Sequence, residues 1–443
     1  MKQIITIYIL LISQLLISQE NNNTSLKNHK KCNTTFLMNK ELSENPEYQL
    51  SRLKILESYQ PSDDISTNKE IITIPIVVHV IYKNTHANIG TGTNISNERI
   101  EDAIRILNED YTKTNPEFPN PPRNTFVNSA GNANLQFCLA TVDPNGNPTS
   151  GVTRTMTTKS NFDPDTESND MKRNNTGGKD GWDPSKYLNI WVCDLAVTGS
   201  GGMVLGYAYL PGLPSWMNWR DGLVVDFQWF GTTTGTSGDG RTATHEIGHY
   251  LGLEHTFCES QSGGCCDNDD SNVNDTPATD GVYWGSVTSF TNNNTCNDLS
   301  YGFSSDLLDM DENFMSYSQN TWMFSNSQVN AMISTLNGYR LSLKNSNVPV
   351  NCSGIIGTNT ENIIYDNIKI HPNPSNGYVS IENLSQYKTS YIQFRNILGE
   401  VVATFSSNEI NTILDISHLK EGLYLCEIST DDRIDIQKII LSR

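Results

Sequence analysis

The chain has 443 residues, of which 36% are hydrophobic; this allows two or three domains with real cores and excludes wholesale disorder, collagen and coiled coil. Its 30 Lys and Arg against 49 Asp and Glu leave a net charge of −19, the opposite of the basic footprint that nucleic acid or an anionic membrane requires. Nine cysteines are an odd number, so at least one is unpaired or has another task.

In chain order, Met1-Lys2, the apolar run from Ile4 to Ile17 and the polar switch at Ser18-Gln19-Glu20 read as a secretory signal peptide, residues 1–19. No later stretch is long and apolar enough to span a bilayer, so export without stable membrane insertion is expected, into a compartment where disulfides persist. Residues 20–70 are polar, with a weak helical pattern around Leu50, Leu53, Leu56 and Tyr59 and too little apolar surface for a domain. The β-branched run from Ile71 to Tyr82 predicts a buried strand, with Pro75 near its start. A helix follows, capped by Ser96, stapled by Ile95 and Ile100, with Ile100, Ile104, Leu107 and Tyr111 on one face. Further strands are expected over 134–140, 187–195 and 222–230, and a helix over 241–252. This order predicts an α/β (α+β) domain with a mixed sheet and covering helices. Residues 346–364 read as a linker, and the alternating segments from 365 to 443 as a small all-β sandwich.

The chemistry concentrates in His245-Glu246-Ile247-Gly248-His249-Tyr250-Leu251-Gly252-Leu253-Glu254-His255. Two histidines four apart project from one helix face and share a cation; Gly252 lets the chain leave the helix sharply, and His255 returns as a third ligand. Three imidazoles leave tetrahedral zinc one open position, the mark of a catalytic site, and Glu246 stands beside it to take a proton from water.

These residues resemble the metzincin clan of zinc endopeptidases, and within it the pappalysin family. The likeness is carried by the histidine motif, His255-Thr256-Phe257, Val273-Asn274-Asp275-Thr276-Pro277 and Asn313-Phe314-Met315-Ser316-Tyr317, with Phe137-Cys138-Leu139-Ala140, Tyr187 to Val192 and Leu205 to Ala208 upstream. It implies a metzincin-like protease domain over residues 71–345 acting on protein or peptide substrates. In that domain His245, His249 and His255 hold zinc, Glu246 is general base and acid, Met315 forms the floor beneath the metal, and Tyr317 stabilises the tetrahedral intermediate. It also implies calcium beside the site, with Asp270, Asp275 and Thr276 as candidate ligands. Here, however, Ser271 stands where the family has Asp, and Ala278 where an acidic ligand is frequent. Basic-specific members carry an acidic residue soon after the Met-turn, which Ser318 to Trp322 lack. Residues 20–70 become a pro-segment, in which Cys32 is the expected latency switch, a thiolate that occupies the metal. Among the other cysteines, Cys296 with Cys265 or Cys266 is one option, and Cys138 and Cys193 either pair or stay buried.

Ile370 to Gly377, Ile397 to Val402, Asp415 to Tyr424 and Lys438-Ile439-Ile440 resemble the C-terminal sorting domain of type IX secretion, which implies that secretion machinery as a partner and export to the medium or cell surface. A carbohydrate- or protein-binding appendage is the alternative for this module. For the whole chain the expectation is a secreted zinc endopeptidase; the rival is a non-catalytic surface adhesin that keeps a zinc-binding fold. Of the 19 surplus charges, 13 lie between Arg241 and Arg340, a stretch without Lys or Arg, where a field favouring cationic substrates is expected.

Overall fold

The computed structural model describes residues 31–58, 71–118, 120–196, 202–233, 238–259, 265–266, 273–353, 369–382, 390–397, 399–407, 409, 411–429 and 434–442. The expected signal peptide, residues 20–30 and 59–70 of the leading segment, the candidate calcium ligand Asp270 and residues 354–364 of the expected linker lie outside the described residues. The chain divides into two units, one over residues 1–144 and 151–356 and one over residues 145–150 and 357–443.

In the first unit, helices α1 (Thr34–Glu44) and α2 (Pro46–Ser58) precede strand β1 (Ile72–Lys83) and helix α3 (Asn97–Tyr111). Ser96 caps α3 by accepting from the Arg99 amide, and Ile100, Ile104, Leu107 and Tyr111 are all buried, as their spacing requires. Strands β2 (Leu135–Ala140), β3 (Val152–Thr157), β4 (Leu188–Cys193), β5 (Gly206–Ala208) and β6 (Leu223–Asp226) lead to helix α4 (Thr242–Tyr250). After a long irregular stretch come α5 (Asn326–Asn337), α6 (Leu341–Lys344) and β7 (Val350–Asn351). The sheet order is β5-β6-β4-β1-β2-β7, with β3 also on β1. Its inner pairings are parallel, and the edges β5 and β7 are antiparallel, so the sheet is mixed.

Alternation along the strands builds a core on each face. Ile190, Val192, Leu223 and Val225 pack with α3 and α4, while Trp191, Cys193, Val224 and Tyr207 pack on the other side with Leu37 and Tyr48 of α1 and α2. The leading segment, too sparse to be a domain, thus completes the second core. β7 falls in the expected linker: Val350 and Asn351 pair with Ala140 and Leu139, and Cys352 is bonded to Cys138. Cys138 does not meet Cys193, because β1 lies between their strands. Cys266 takes Cys296, Cys258 takes Cys265, and the buried Cys32, Cys193 and Cys426 form no disulfide among the described residues.

The second unit is built from β8 (Lys369–His371), β9 (Tyr378–Glu382), β10 (Ser390–Arg395), β11 (Val401–Ser407), β12 (Thr412–Asp415), β13 (Gly422–Ser429) and β14 (Ile434–Leu441). A four-stranded sheet, β11-β10-β13-β14, and a three-stranded one, β12-β9-β8, are antiparallel throughout. They enclose Val379, Ile381, Ile392, Phe394, Leu414, Ile428 and Ile439, the core of a β-sandwich.

Candidate metal centre

Helix α4 is nine residues long and fully buried from Ala243 to Tyr250, so its histidines enter a dry environment. It ends where Gly252 adopts φ +102°, and the Leu253 amide returns to the Gly248 carbonyl. That reversal delivers His255 opposite His245 and His249. The three Nε2 atoms stand 3.1, 3.2 and 3.1 Å apart. Nitrogens bound tetrahedrally to zinc at ~2.0–2.1 Å lie about 3.3–3.4 Å apart, so the donor set fits this ion.

The outer nitrogens settle the tautomers. His245 Nδ1 donates to the Phe314 carbonyl at 2.6 Å and His249 Nδ1 to the Leu253 carbonyl at 2.7 Å, which leaves their Nε2 lone pairs facing inward. Burial first, then His255, holds His245 and His249 well below the usual histidine range, hence neutral and able to ligate. Cys32 completes the cluster: its Sγ and the three histidine nitrogens all lie within 4.8 Å of one another. The Cys32 thiol also sits 3.5 Å from Glu246 Oε2. Burial, and then Glu246, push that thiol well above its ordinary range.

Glu246 is buried beside the cluster, and burial raises it to about 8 against the pull of hydrogen bonds from Cys32 and Thr34. Edge strand β5 crosses so close that a Cβ on Gly206 would lie 2.9 Å from Glu246 Cγ. Met315 lies under α4, where a Cβ on Gly248 would meet its Sδ at 2.4 Å. Tyr317 Oη is 3.2 Å from His255 Nε2, and burial keeps the phenol neutral and able to donate. A cleft of about 520 Å³ opens here, lined by Leu205, Trp229, Arg241, His245, Trp284 and Tyr317 among others.

Two of the candidate calcium ligands lie in the described residues. Asp275 accepts from Ser325 Oγ at 2.5 Å and from the Ser327 amide at 2.9 Å, at the N-terminus of α5; Thr276 is buried. Sequence reasoning missed Lys31, Thr34 and Glu259. Lys31 Nζ donates to the Tyr317 carbonyl at 2.6 Å, Thr34 Oγ1 reaches the Ala208 carbonyl and Glu246, and Glu259 contacts the outer nitrogen of His255. Only adjacency to Cys32 and to the His-Thr-Phe run could have pointed to them.

A buried three-histidine centre with a neighbouring glutamate, at the end of a mixed sheet, defines a metallopeptidase-like domain. Residues 171–337 match the family model described as pregnancy-associated plasma protein-A, and residues 369–442 that of the secretion system C-terminal sorting domain. Mature mirolysin of Tannerella forsythia, solved with a cleaved peptide, is 37% identical, covering 62% of this chain and 96% of that one, with a TM-score of 0.54. A promirolysin mutant from the same organism is 33% identical over 71% and 97% of the two chains, at a TM-score of 0.58. An extracellular metalloprotease of Pyricularia oryzae is 28% identical over 219 residues, 48% of this chain and 59% of that protein. The chain spans little more than half the length of the curated relatives it matches. The chain belongs to the pappalysin family of metalloproteases, with mirolysin among its relatives, and carries a C-terminal secretion sorting domain.

Proposed function

We propose that this protein is a secreted zinc endopeptidase, made with a pro-segment over residues 20–70 and exported through its sorting domain by type IX machinery. The observation that carries the reading is the convergence of three Nε2 atoms at 3.1–3.2 Å beside buried Glu246. His245, His249 and His255 would hold zinc, which supplies Lewis acidity toward a peptide carbonyl and acidifies a water.

The protein's own groups do the rest. Glu246 takes the water's proton and delivers it to the departing amine, and its apolar setting suits a carboxyl that must give the proton up again. Tyr317, a neutral phenol, donates to the oxygen that gains charge. β5 offers an edge to which a peptide adds as a strand. Residues 31–33 hold that edge: the Leu205 amide donates to the Lys31 carbonyl at 2.7 Å and the Asn33 amide to the Gly206 carbonyl at 3.2 Å. With Cys32 as fourth ligand, this supports a latent state in which one segment covers both the metal and the substrate edge. Calcium near Asp275 remains part of the proposal only as a stabilising ion.

Digestion of casein or gelatin by the secreted, processed protein is the test, beside Glu246→Ala and with a zinc chelator. The variant is expected to lose at least about 10²-fold in rate while keeping its zinc, and the chelator to abolish cleavage. Equal cleavage by both proteins would end the protease reading; cleavage by neither would favour a binding protein.

A further inference from the structure

We infer that Glu259 is a positioning residue of the metal centre: its carboxylate fixes the His255 ring through Nδ1 and so strengthens zinc binding. This rests on the zinc reading above. All three ligand rings have an acceptor at the outer nitrogen, but not of one kind. His245 and His249 donate to main-chain carbonyls, those of Phe314 and Leu253, whereas His255 Nδ1 contacts Glu259 Oε1. Among the described residues this is the single carboxylate that meets the outer nitrogen of a candidate ligand.

The difference follows from where His255 stands. His245 and His249 are held by α4, while His255 lies beyond Gly252 on irregular chain and needs other restraints. Phe257 supplies one by stacking on the ring, with centroids 4.8 Å apart and planes inclined by 14°. Glu259 supplies the second, at Nδ1. An anionic acceptor also makes the opposite nitrogen a better donor to a cation than a neutral carbonyl does. The carboxylate is itself anchored, because the adjacent Cys258 is bonded to Cys265 and its amide donates to the Thr279 carbonyl at 3.0 Å.

Glu259 also links this ring to the leading segment. Thr35 Oγ1 donates to Glu259 Oε1 at 2.8 Å and lies 3.4 Å from His255 Nδ1. While the segment is docked, a hydroxyl shares the carboxylate with the ligand; once it leaves, His255 has the carboxylate without that competitor.

The experiment is zinc titration of the metal-stripped full chain against a fluorescent chelator, comparing wild type with Glu259→Gln and Glu259→Ala. Unfolding of each zinc-free chain and the visible d–d bands of each cobalt-substituted chain are recorded alongside. Glu259→Gln, which keeps the shape and loses the charge, is expected to bind zinc about 10-fold more weakly, and Glu259→Ala more weakly still. Zinc-free melting temperatures should be unchanged and the cobalt bands shifted. Zinc affinities within twofold of wild type would overturn the inference. So would a loss that tracks a lowered melting temperature with unshifted cobalt bands, which assigns Glu259 to loop stability alone. A wild-type chain that takes up no zinc would instead overturn the reading on which the inference rests.

Discussion

Lys172 shows how one side chain can carry a cost unrelated to the metal. It is fully buried, and its Nζ donates to the Arg220 carbonyl at 2.6 Å and lies 5.1, 5.8 and 4.9 Å from the rings of Trp191, Tyr207 and Tyr209. The aromatic faces soften the loss of water without replacing it, and burial lowers the amine to about 7. In the unfolded chain the same amine titrates near 10.4, so between those values the unfolded state binds the extra proton and stability rises with pH. Below pH 7 both states are protonated and the slope vanishes. Lys172→Met removes the group. The stability of wild type minus that of the variant is therefore expected to increase by about 2 kcal/mol from pH 7 to pH 9, measured by urea unfolding. A difference independent of pH would mean that the amine stays charged in the fold. Nothing in the sequence Met171-Lys172-Arg173 separates this lysine from a surface one; burial is decided by Trp191, Tyr207 and Tyr209, which are distant in sequence.

Among the elements, α4 makes the sharpest demand on its neighbours. Gly248 faces the Met-turn, and because Met315 is itself wholly buried its sulfur has nowhere to retreat from an added methyl group. Alanine is the better helix former by up to about 1 kcal/mol, but overpacking costs about 1–3 kcal/mol, so Gly248→Ala is expected to destabilise the chain. The check is a double-mutant cycle: Met315→Ala should be less costly in the Gly248→Ala background than in wild type, because it empties the contested space. Strict additivity would show that the two sites do not meet. The helix, its histidines and Glu246 were legible because the motif and the helical period agree. So were α3 and β1, where Ile100, Ile104, Leu107 and Tyr111, or Ile72 to Ile81, state their burial outright. β3, β5 and β7 were not. Val152 to Thr157 alternates too weakly, Gly206 to Ala208 is three residues long, and Val350-Asn351 is a strand only because β2 has a free edge beside it. α2 was legible only as a weak pattern, two leucines of which, Leu50 and Leu53, are exposed, and α1 not at all, since the apolar surface they cover belongs to Trp191, Tyr207 and Tyr209 rather than to themselves.

At the scale of the whole molecule, part of the acidic surplus between Arg241 and Arg340 has a structural task. Among the described residues from 251 to 325 there is no α-helix and no strand longer than an isolated bridge. The main chain there lacks the partners that regular structure would give it. Carboxylates stand in: Asp298 accepts from the Ala278 and Leu307 amides, Asp309 from the Thr295 amide, Asp275 from the Ser327 amide, and Glu312 pairs with Arg123. Arg123 on Glu312 and Arg52 on Glu254 offset two of the 13 charges; hydrogen bonds from amides leave the others' charge in place. Two members of the acidic stretch instead face the leading segment. Glu254 pairs with Arg52 at 3.1 Å, and Glu259 accepts from Thr35. That segment is therefore held by several kinds of contact, among them Cys32 at the metal cluster, the main chain on β5, Leu37 and Tyr48 in the second core, and the Arg52–Glu254 pair. Losing the thiol leaves the others in place. Cys32→Ala is thus expected to raise the full chain's activity on a small peptide substrate while leaving it below that of a chain cleaved between residues 58 and 71. Arg52→Ala removes both the ion pair with Glu254 and the hydrogen bond that Arg52 donates to the Pro211 carbonyl, so it loosens the segment by a separate route. Cys32→Ala with Arg52→Ala should exceed either single change, measured as initial rates on one fluorogenic peptide with all proteins kept uncleaved. If Cys32→Ala remains as inactive as wild type while the cleaved chain is active, the thiol is a spectator and the occupied β5 edge alone enforces latency.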